Sequence, residues 1–263
     1  MGISASTKVP HEVSDYEQPL NERMRRFMRL EFLYKQSLYN SDVESTWATR
    51  AVIANLLEIM AILTRGDVRS EVHKELDLQI DNLKRFQSEP EVDSGRLGNI
   101  VDNLVANREE IDAVGTGFLQ PLKDCEFLSS IKHRSTIPGG TCEFDLPEFS
   151  HWLRQSFDRR QRDVSEWLEI IRPICDAVTK VLWVIRESAE PTERTALNGM
   201  YQHRMRRNKS RRLLRVTLPS GNKFYPEISG SRHRFTIRFL DWSTIDSRAV
   251  QTDHDVKFNL SIC

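Results

Sequence analysis

Few residues of this 263-residue chain have the types and the spacing that catalysis requires. Cys142 and His151 are the residue types of a thiol-protease pair, but no local signature surrounds them and two residues do not complete such a site. Glu109 and Glu110 lie in a polar run, which favours solvated acids over an acid–base couple. The glycine-containing stretch 137–140 lacks the Lys-Ser/Thr that follows a phosphate-binding loop. The seven histidines show no pair at ligand spacing on one helix face. The sequence therefore predicts a protein that is not an enzyme and carries no cofactor or metal.

Positive charge is the residue chemistry that does cluster. The run RMRRNKSRR, residues 204–212, places six Lys or Arg in nine positions, although the formal net charge of the chain is zero. Such a run attracts phosphate backbones by counterion release, but no aromatic residues for base stacking are interleaved with it. A solvated loop, long-range attraction for an acidic partner, and nucleic-acid binding all remain open, and the sequence favours the loop. Nucleic-acid binding through 204–212 is the alternative function.

A second basic feature accompanies a strand pattern in ISGSRHRFTIRFL. Arg232, Arg234 and Arg238 are spaced so that a strand would present them toward solvent. Outward arginines beside an open sheet edge can bind an extended peptide through its carboxylates. Charge that protects an edge from aggregation is the simpler interpretation, and the residues alone favour it.

The helical part of the sequence contributes further arginines. Arg25 and Arg29 are four residues apart in RMRRFMRLEF, and LTRGDVRSEVHKEL adds Arg65 and Arg69. Salt-bridged helix faces explain most such residues without a partner. From residue chemistry alone, the chain is a non-enzymatic interaction protein with basic faces and no identified partner.

The sequence shows two kinds of hydrophobic periodicity, one helical and one typical of strands, in different parts of the chain. Helical spacing dominates the first 190 residues. There, Asn21 and Asp67 are expected to cap helices, and Ser41 with Glu44 forms a capping box. Pro147 suits a first helical position, and Asp163 with Glu166 is expected to begin a long helix that contains Pro173. The final 65 residues alternate with period two in LLRVTL, KFYPEI, RFTIRF and VKFNLSI. The predicted fold class is α+β, a mainly helical domain with a smaller antiparallel sheet domain that is sandwich- or barrel-like.

Composition is that of a globular protein, with 39% hydrophobic and 29% charged residues. The longest apolar run, Ala51 to Leu63, is shorter than the roughly 20 residues that cross a bilayer. No export signal precedes it, and the four cysteines are scattered, which indicates reduced thiols. We therefore expect a cytoplasmic protein without membrane insertion.

Five segments, in order, resemble the ZapD family of bacterial cell-division proteins. These segments are PLNERMRRFMRLEFL, RGDVRSEVHKELD, IPGGTCEFDLP, LNGMYQ and YPEISGSRHRFTIRF. The resemblance implies a homodimer that binds the C-terminal tail of FtsZ, the tubulin-like GTPase of the septal ring. It implies that the dimer crosslinks and bundles FtsZ protofilaments at the mid-cell division site, supporting Z-ring assembly and septation.

The resemblance also implies discontinuous domains. Residues 1–18 are expected to be a polar extension, and 19–135 with 148–190 to form the helical dimerisation domain. The antiparallel β domain is expected to combine 136–147 with 191–263.

The residues that the resemblance assigns to FtsZ-tail binding are basic and lie in both domains. Between Leu119 and His133 the chain departs from the arginine-rich pattern that the resemblance implies. It offers Lys123 and Lys132 there, with Arg134 directly after the segment. The full set is Arg29, Arg65, Arg69, Lys132, Arg134, Arg232, Arg234 and Arg238.

Overall fold

The computed structural model divides the chain into two compact units. The helical unit is Arg26–Val184, and the sheet unit combines the chain up to Arg25 with Ile185–Cys263. Arg232 and residues 206–210 of the basic run lie outside the described residues, so what the sequence predicts of them stays a prediction. The structure describes residues 13–87, 93–205, 211–231, 233–242 and 244–263.

Eight helices are present in the described ranges. Two predicted caps are confirmed: the Asn21 side chain accepts a hydrogen bond from the Met24 amide at 2.9 Å, and Asp67 accepts one from the Ser70 amide at 3.1 Å. The helices are α1 (Glu22–Ser41), α2 (Thr46–Thr64), α3 (Val68–Phe86), α4 (Ser94–Val114), α5 (Gln120–Asp124), α6 (Glu126–Arg134), α7 (Pro147–Leu153) and α8 (Phe157–Glu187).

The capping box predicted at Ser41 is wrong. Helix α1 continues through Ser41, and the cap of α2 is Ser45, whose hydroxyl accepts a hydrogen bond from the Trp47 amide at 3.2 Å. Several residues that can cap a helix lie close together between these two helices. Propensity alone therefore places the boundary only to within a turn.

Helix α8 begins six residues before the predicted start at Asp163. The preceding residues, Phe157 to Arg162, include good helix formers and continue the helix upstream. The carboxylate of Asp163 instead accepts a hydrogen bond from the indole nitrogen of Trp152 at 2.7 Å. Pro147 at the start of α7 and Pro173 inside α8 lie where the sequence predicts them.

The core of the helical unit is formed by apolar stripes at helical spacing. Each long helix turns one stripe inward, and removing these side chains from water supplies most of the stabilisation. The fully buried side chains include Phe27 and Leu30 of α1, Ile53 and Leu56 of α2, Val72 and Leu76 of α3, and Ile174, Val178 and Val181 of α8.

Four aromatic rings of the helical unit form a cluster beside this core. The ring centroid of Phe127 lies 5.4 Å from that of Trp152 and 5.9 Å from that of Trp167, and Phe149 also contacts Phe127. The hydrogen bond from Trp152 to Asp163 satisfies the polar end of one ring. The cluster thereby joins α6, α7 and α8 within the unit.

Helix α2 is long and apolar enough to cross a membrane, by length and composition alone, because the helix extends beyond the apolar run that the sequence shows. In the structure, 56% of its most apolar window is buried inside the helical unit. Ten of its residues, among them Ile53, Leu56 and Ile59, are buried in that core. Burial of this kind is typical of a core helix.

Residues 136–147, predicted to belong to the β domain, lie inside the helical unit, where 136–145 form successive turns and Pro147 begins α7. A Cβ at Gly140 would meet the backbone carbonyl of Arg134, so the chain turns back tightly on the end of α6. The guanidinium of Arg50 on α2 donates to the Thr141 carbonyl at 3.1 Å and fixes the segment to the helices. The helical unit is therefore continuous in sequence, which corrects this part of the predicted domain division.

Residues 13–18, predicted to be a polar extension, belong to the first strand of the sheet unit. Strand β1 (Val13–Pro19) pairs along its whole length with β4 (Leu213–Pro219). Its carboxylate Glu17 accepts hydrogen bonds from Arg186 at 2.8–3.3 Å and from Arg215 at 2.9–3.0 Å, and all three side chains are mostly buried. This ion cluster stabilises β1 in the sheet. The residues of β1 are mostly polar, so their hydrophobic pattern does not predict a strand.

Two antiparallel sheets make up the sheet unit, which confirms the predicted α+β class. Sheet A has the order β1-β4-β8-β2, and sheet B has the order β3-β6-β5 with β7 also paired to β6. The remaining strands are β2 (Thr192–Ala196), β3 (Met200–Arg204), β5 (Phe224–Gly230), β6 (Arg234–Asp241), β7 (Val250–Gln251) and β8 (Val256–Ile262).

Both sheets contribute to one hydrophobic core, as in a β-sandwich. Leu214, Val216 and Leu218 of β4 point into this core from sheet A. The alternating residues Phe235, Ile237 and Phe239 of β6 enter it from sheet B, and all six are 0–1% exposed.

The chain passes from sheet A to sheet B through a turn at Asn198 and Gly199. Both residues have positive φ, 48° and 70°, as the Asn-Gly turns of hairpins require. The Gly199 carbonyl accepts a hydrogen bond from the Phe239 amide at 2.8 Å, and a Cβ at Gly199 would meet the carbonyl oxygen of Thr252. This position therefore requires glycine for both backbone conformation and space.

Gly199→Ala is expected to destabilise the protein more than Gly221→Ala. Both glycines have positive φ, so each alanine has the cost of the left-handed conformation, about 1–2 kcal/mol. A Cβ at Gly221 meets nothing within 4 Å, whereas one at Gly199 must displace backbone, which adds about 1–3 kcal/mol. Urea denaturation followed by far-ultraviolet circular dichroism measures both losses. Equal losses would show that the close approach to Thr252 is unimportant.

Candidate functional site

The two residues that resemble a thiol-protease pair have separate polar contacts. The Cys142 thiol donates to the Asp145 carboxylate at 3.5 Å, and His151 Nε2 lies 3.2 Å from the Gln155 amide nitrogen. Among the described residues, no group of three or more His, Cys, Asp or Glu side chains could hold a metal ion. The basic residues are thus the remaining candidates for a functional site.

Arg29 of α1 and Arg65 at the end of α2 line one groove of the helical unit, with a volume of about 430 Å³. We call it the helical groove. Both arginines are exposed, and neither has an ion-pair partner in the described part of the chain. Phe32, with 64% of its surface exposed, adds an aromatic ring to the groove, and Glu58 adds a carboxylate. Two free guanidinium groups beside an apolar ring suit a peptide that carries both acidic and apolar side chains.

Arg69 has contacts of a different kind. Its guanidinium donates to the Ile111 carbonyl at 3.1 and 3.0 Å and lies 3.6 Å from the Asp112 carboxylate, and 24% of the side chain is exposed. These bonds attach α3 to the last turn of α4, where helical carbonyls lack partners within the helix. The contacts favour a structural role, and the proposals below do not depend on Arg69.

Lys132 and Arg134 are exposed in the last turn of α6. Arg134 lies 3.7 Å from the Asp145 carboxylate, and Lys132 has no ion-pair partner within the described ranges. Cations in a last helical turn also interact favourably with the helix dipole. The position of these two residues is therefore compatible with both a structural and a binding role.

The outward face of sheet B carries the other predicted arginines. Arg234 and Arg238 are both exposed on β6, because the residues between them that alternate inward fill the core. Arg238 lies directly opposite Glu227 of β5 and forms an ion pair with it. Arg234 has no ion-pair partner among the described residues.

The register of β3 with β6 places Arg204 directly opposite Arg234. Both guanidinium groups belong to the lining of an open groove of about 740 Å³. We call it the sheet B groove. Its other outward residues are polar and uncharged: Gln202, Ser229, Ser231 and Thr236.

Sequence reasoning missed Arg204 because it assigned the whole run 204–212 to a loop. The alternation in MYQHR was the available signal, since it places Met200, Gln202 and Arg204 on one face of a strand. The other described end of the run is bound to sheet A, where Arg211 donates to the Ile262 carbonyl at 2.9 Å.

His203 lies on the inward side of β3, behind this face. Its ring contacts Phe235 with the centroids 5.3 Å apart and stacks on Tyr201. Burial lowers the pKa of His203, and the cationic Arg194 and Arg211 lower it further. The arginines near β3 thus disfavour the protonated form of His203.

Fold and surfaces together define an α+β protein whose candidate sites are basic grooves suited to an anionic partner. The comparisons with known proteins give the family. The family model described as "ZapD: Cell division protein" matches residues 28–238. The Cell division protein ZapD of Methylococcus capsulatus is 38% identical over 94% of this chain and 97% of its own length. The proteins of the same name from Escherichia coli O17:K52:H18 and Shigella boydii serotype 4 are each 35% identical over 94% of this chain and 98% of theirs. The chain belongs to the ZapD family of cell division proteins, which confirms the predicted resemblance and gives the protein a role in cell division.

The low pKa of His203 predicts a loss of stability on acidification. As the pH falls through about 6.5, the unfolded chain binds a proton at this histidine while the folded chain does not, so protonation favours unfolding. In His203→Phe, which retains an aromatic ring, the free energy of unfolding is expected to fall less between pH 7.5 and pH 5.5 than in the wild type. Urea denaturation at the two pH values measures the difference. The same fall in both proteins would contradict the assignment.

Proposed function

We propose that this protein binds the C-terminal tail of FtsZ and, as a homodimer, crosslinks FtsZ protofilaments into bundles that support the Z-ring. The observation that supports the proposal best is the exposure of Arg29, Arg65 and Arg234 without carboxylate partners in the described structure. These three residues stand in the segments that resemble the family, and the chain belongs to a family of cell division proteins.

Free guanidinium groups explain how such a tail would be held. An arginine donates charge-assisted, often bidentate hydrogen bonds to a carboxylate, and these are stronger than bonds between neutral groups. Each exposed pair is screened by salt, so a few such contacts produce modest affinity. Phe32 in the helical groove offers an apolar contact that salt does not weaken.

Modest affinity is sufficient because the partner is a polymer. A two-fold dimer has two equivalent tail sites and is the smallest assembly that can hold two filaments together. Once one site is occupied, neighbouring tails reach the second at high effective concentration. Micromolar binding at each site, about −8 kcal/mol, would then maintain a bundle.

The proposed role needs no catalysis and no cofactor. It places the protein in the cytoplasm at the mid-cell division site, where FtsZ filaments assemble. Arg232, Lys132 and Arg134 remain proposed members of the binding surface on the basis of the family resemblance.

Removal of the FtsZ tail should abolish binding. The purified protein is expected to sediment with FtsZ polymers and to bundle them, but to stay in the supernatant with polymers of FtsZ that lacks its C-terminal tail. Analytical ultracentrifugation of the protein alone should give the mass of a dimer. Equal sedimentation with tailless FtsZ, or a monomer at micromolar concentration, would refute the mechanism.

Arginine substitutions should separate binding from stability. Arg29→Ala and Arg234→Ala are expected to weaken sedimentation with FtsZ several-fold while shifting the free energy of unfolding by less than about 0.5 kcal/mol, because both side chains are exposed. Arg69→Ala is the matched control, since it breaks two hydrogen bonds to Ile111 and should cost about 1–3 kcal/mol of stability. If Arg29→Ala or Arg234→Ala unfolds the chain, that residue is structural.

A further inference from the structure

The pairing of Arg204 with Arg234 is unfavourable in the unliganded protein. Like charges directly opposite each other on an antiparallel ladder repel, and no carboxylate among the described residues forms an ion pair with either one. Two opposed cations in an open groove, without a carboxylate partner among the described residues, are the arrangement that a bound anion would stabilise.

The rest of the groove is suited to a small polar anion. Ser229 and Thr236 offer hydroxyl groups, and Gln202 offers an amide. None of these outward side chains is an aromatic ring on which a base could stack, so the groove favours a carboxylate over a nucleic-acid strand.

The same face of sheet B already holds a carboxylate at another position of β6. Arg238 lies four residues from Arg234 on the same side of the strand, and its guanidinium donates to Glu227. Glu227 is thus an internal example of the ligand that the Arg204–Arg234 pair lacks. It also occupies a guanidinium that would otherwise be free.

We propose that Arg204 and Arg234 together bind one acidic side chain of an extended peptide, and that Glu227 competes with the peptide for Arg238. The inference rests on the proposed function, since the peptide is taken to be the FtsZ tail. It adds two things: Arg204 as a specificity-determining residue, and Glu227 as an intramolecular competitor that limits affinity.

Fluorescence anisotropy with a labelled synthetic FtsZ-tail peptide and the full-length protein tests the inference. Arg204→Gln and Arg234→Gln should each weaken binding about five- to tenfold, and the double variant by less than the product of the two, because the residues share one carboxylate. Glu227→Gln should tighten binding about two- to fivefold. A peptide with its acidic residues changed to amides should bind weakly and equally to the wild type and to Arg204→Gln.

Thermal melting of the free proteins provides the folding control. Arg204→Gln removes a repulsion and should leave the melting temperature unchanged or raise it, whereas a lower melting temperature would show that Arg204 is structural. Unchanged peptide affinity in Arg204→Gln, together with weaker binding in Arg234→Gln, would overturn this inference and leave the proposed function intact.

Two further outcomes are informative. Failure of the wild-type protein to bind the peptide at all would refute the proposed function itself. The second outcome concerns a duplex oligonucleotide. If it binds the wild type but not Arg204→Gln, and Arg204→Gln still binds the peptide, the inference is overturned in favour of nucleic-acid binding.

Discussion

The alternation of β6 is the constraint on which the candidate sheet site depends. Phe235, Ile237 and Phe239 are almost completely buried between the two sheets, and their burial stabilises the unit by several kcal/mol. Because successive side chains of a strand point to opposite faces, a one-residue slip would bury Arg234 and Arg238 and expose the three apolar residues. The hydrophobic core therefore fixes where these two cations lie.

The two units position their arginines by different means. In the helical groove, α1 and α2 each contribute one exposed arginine next to residues that pack inward. In the sheet unit, alternation along β6 exposes Arg234 and Arg238, and the strand register places Arg204 opposite Arg234. Exposed charge without a local partner costs little in water but would be stabilised by a bound anion, which is how a surface can be both soluble and ready to bind.

The sequence predicted those features that depend on local periodicity. The inward residues of β4 and β6 follow from the period-two alternation and agree with the structure. The cap at Asp67 follows from the residue type and its position, and it also agrees. Features that depend on distant partners were missed. Strand β1 is polar, and only its pairing with β4 and the Glu17 ion cluster show that it is a strand. Residues 136–147 belong to the helical unit, where Arg50, some 90 positions earlier, donates a hydrogen bond to the Thr141 carbonyl. Among the candidate residues, the outward position of Arg234 was predictable from alternation, and the alternation in MYQHR offered the same signal for Arg204. Only the strand register shows that the two residues lie opposite each other.

The distribution of the five tryptophans has a practical consequence for spectroscopy. Trp47, Trp152, Trp167 and Trp183 belong to the helical unit, and Trp242 alone belongs to the sheet unit. Tryptophan emission is thus dominated by the helical unit, and it reports poorly on loosening of the β-sandwich. Trp242, which is half exposed, is the one indole that reports directly on the sheets.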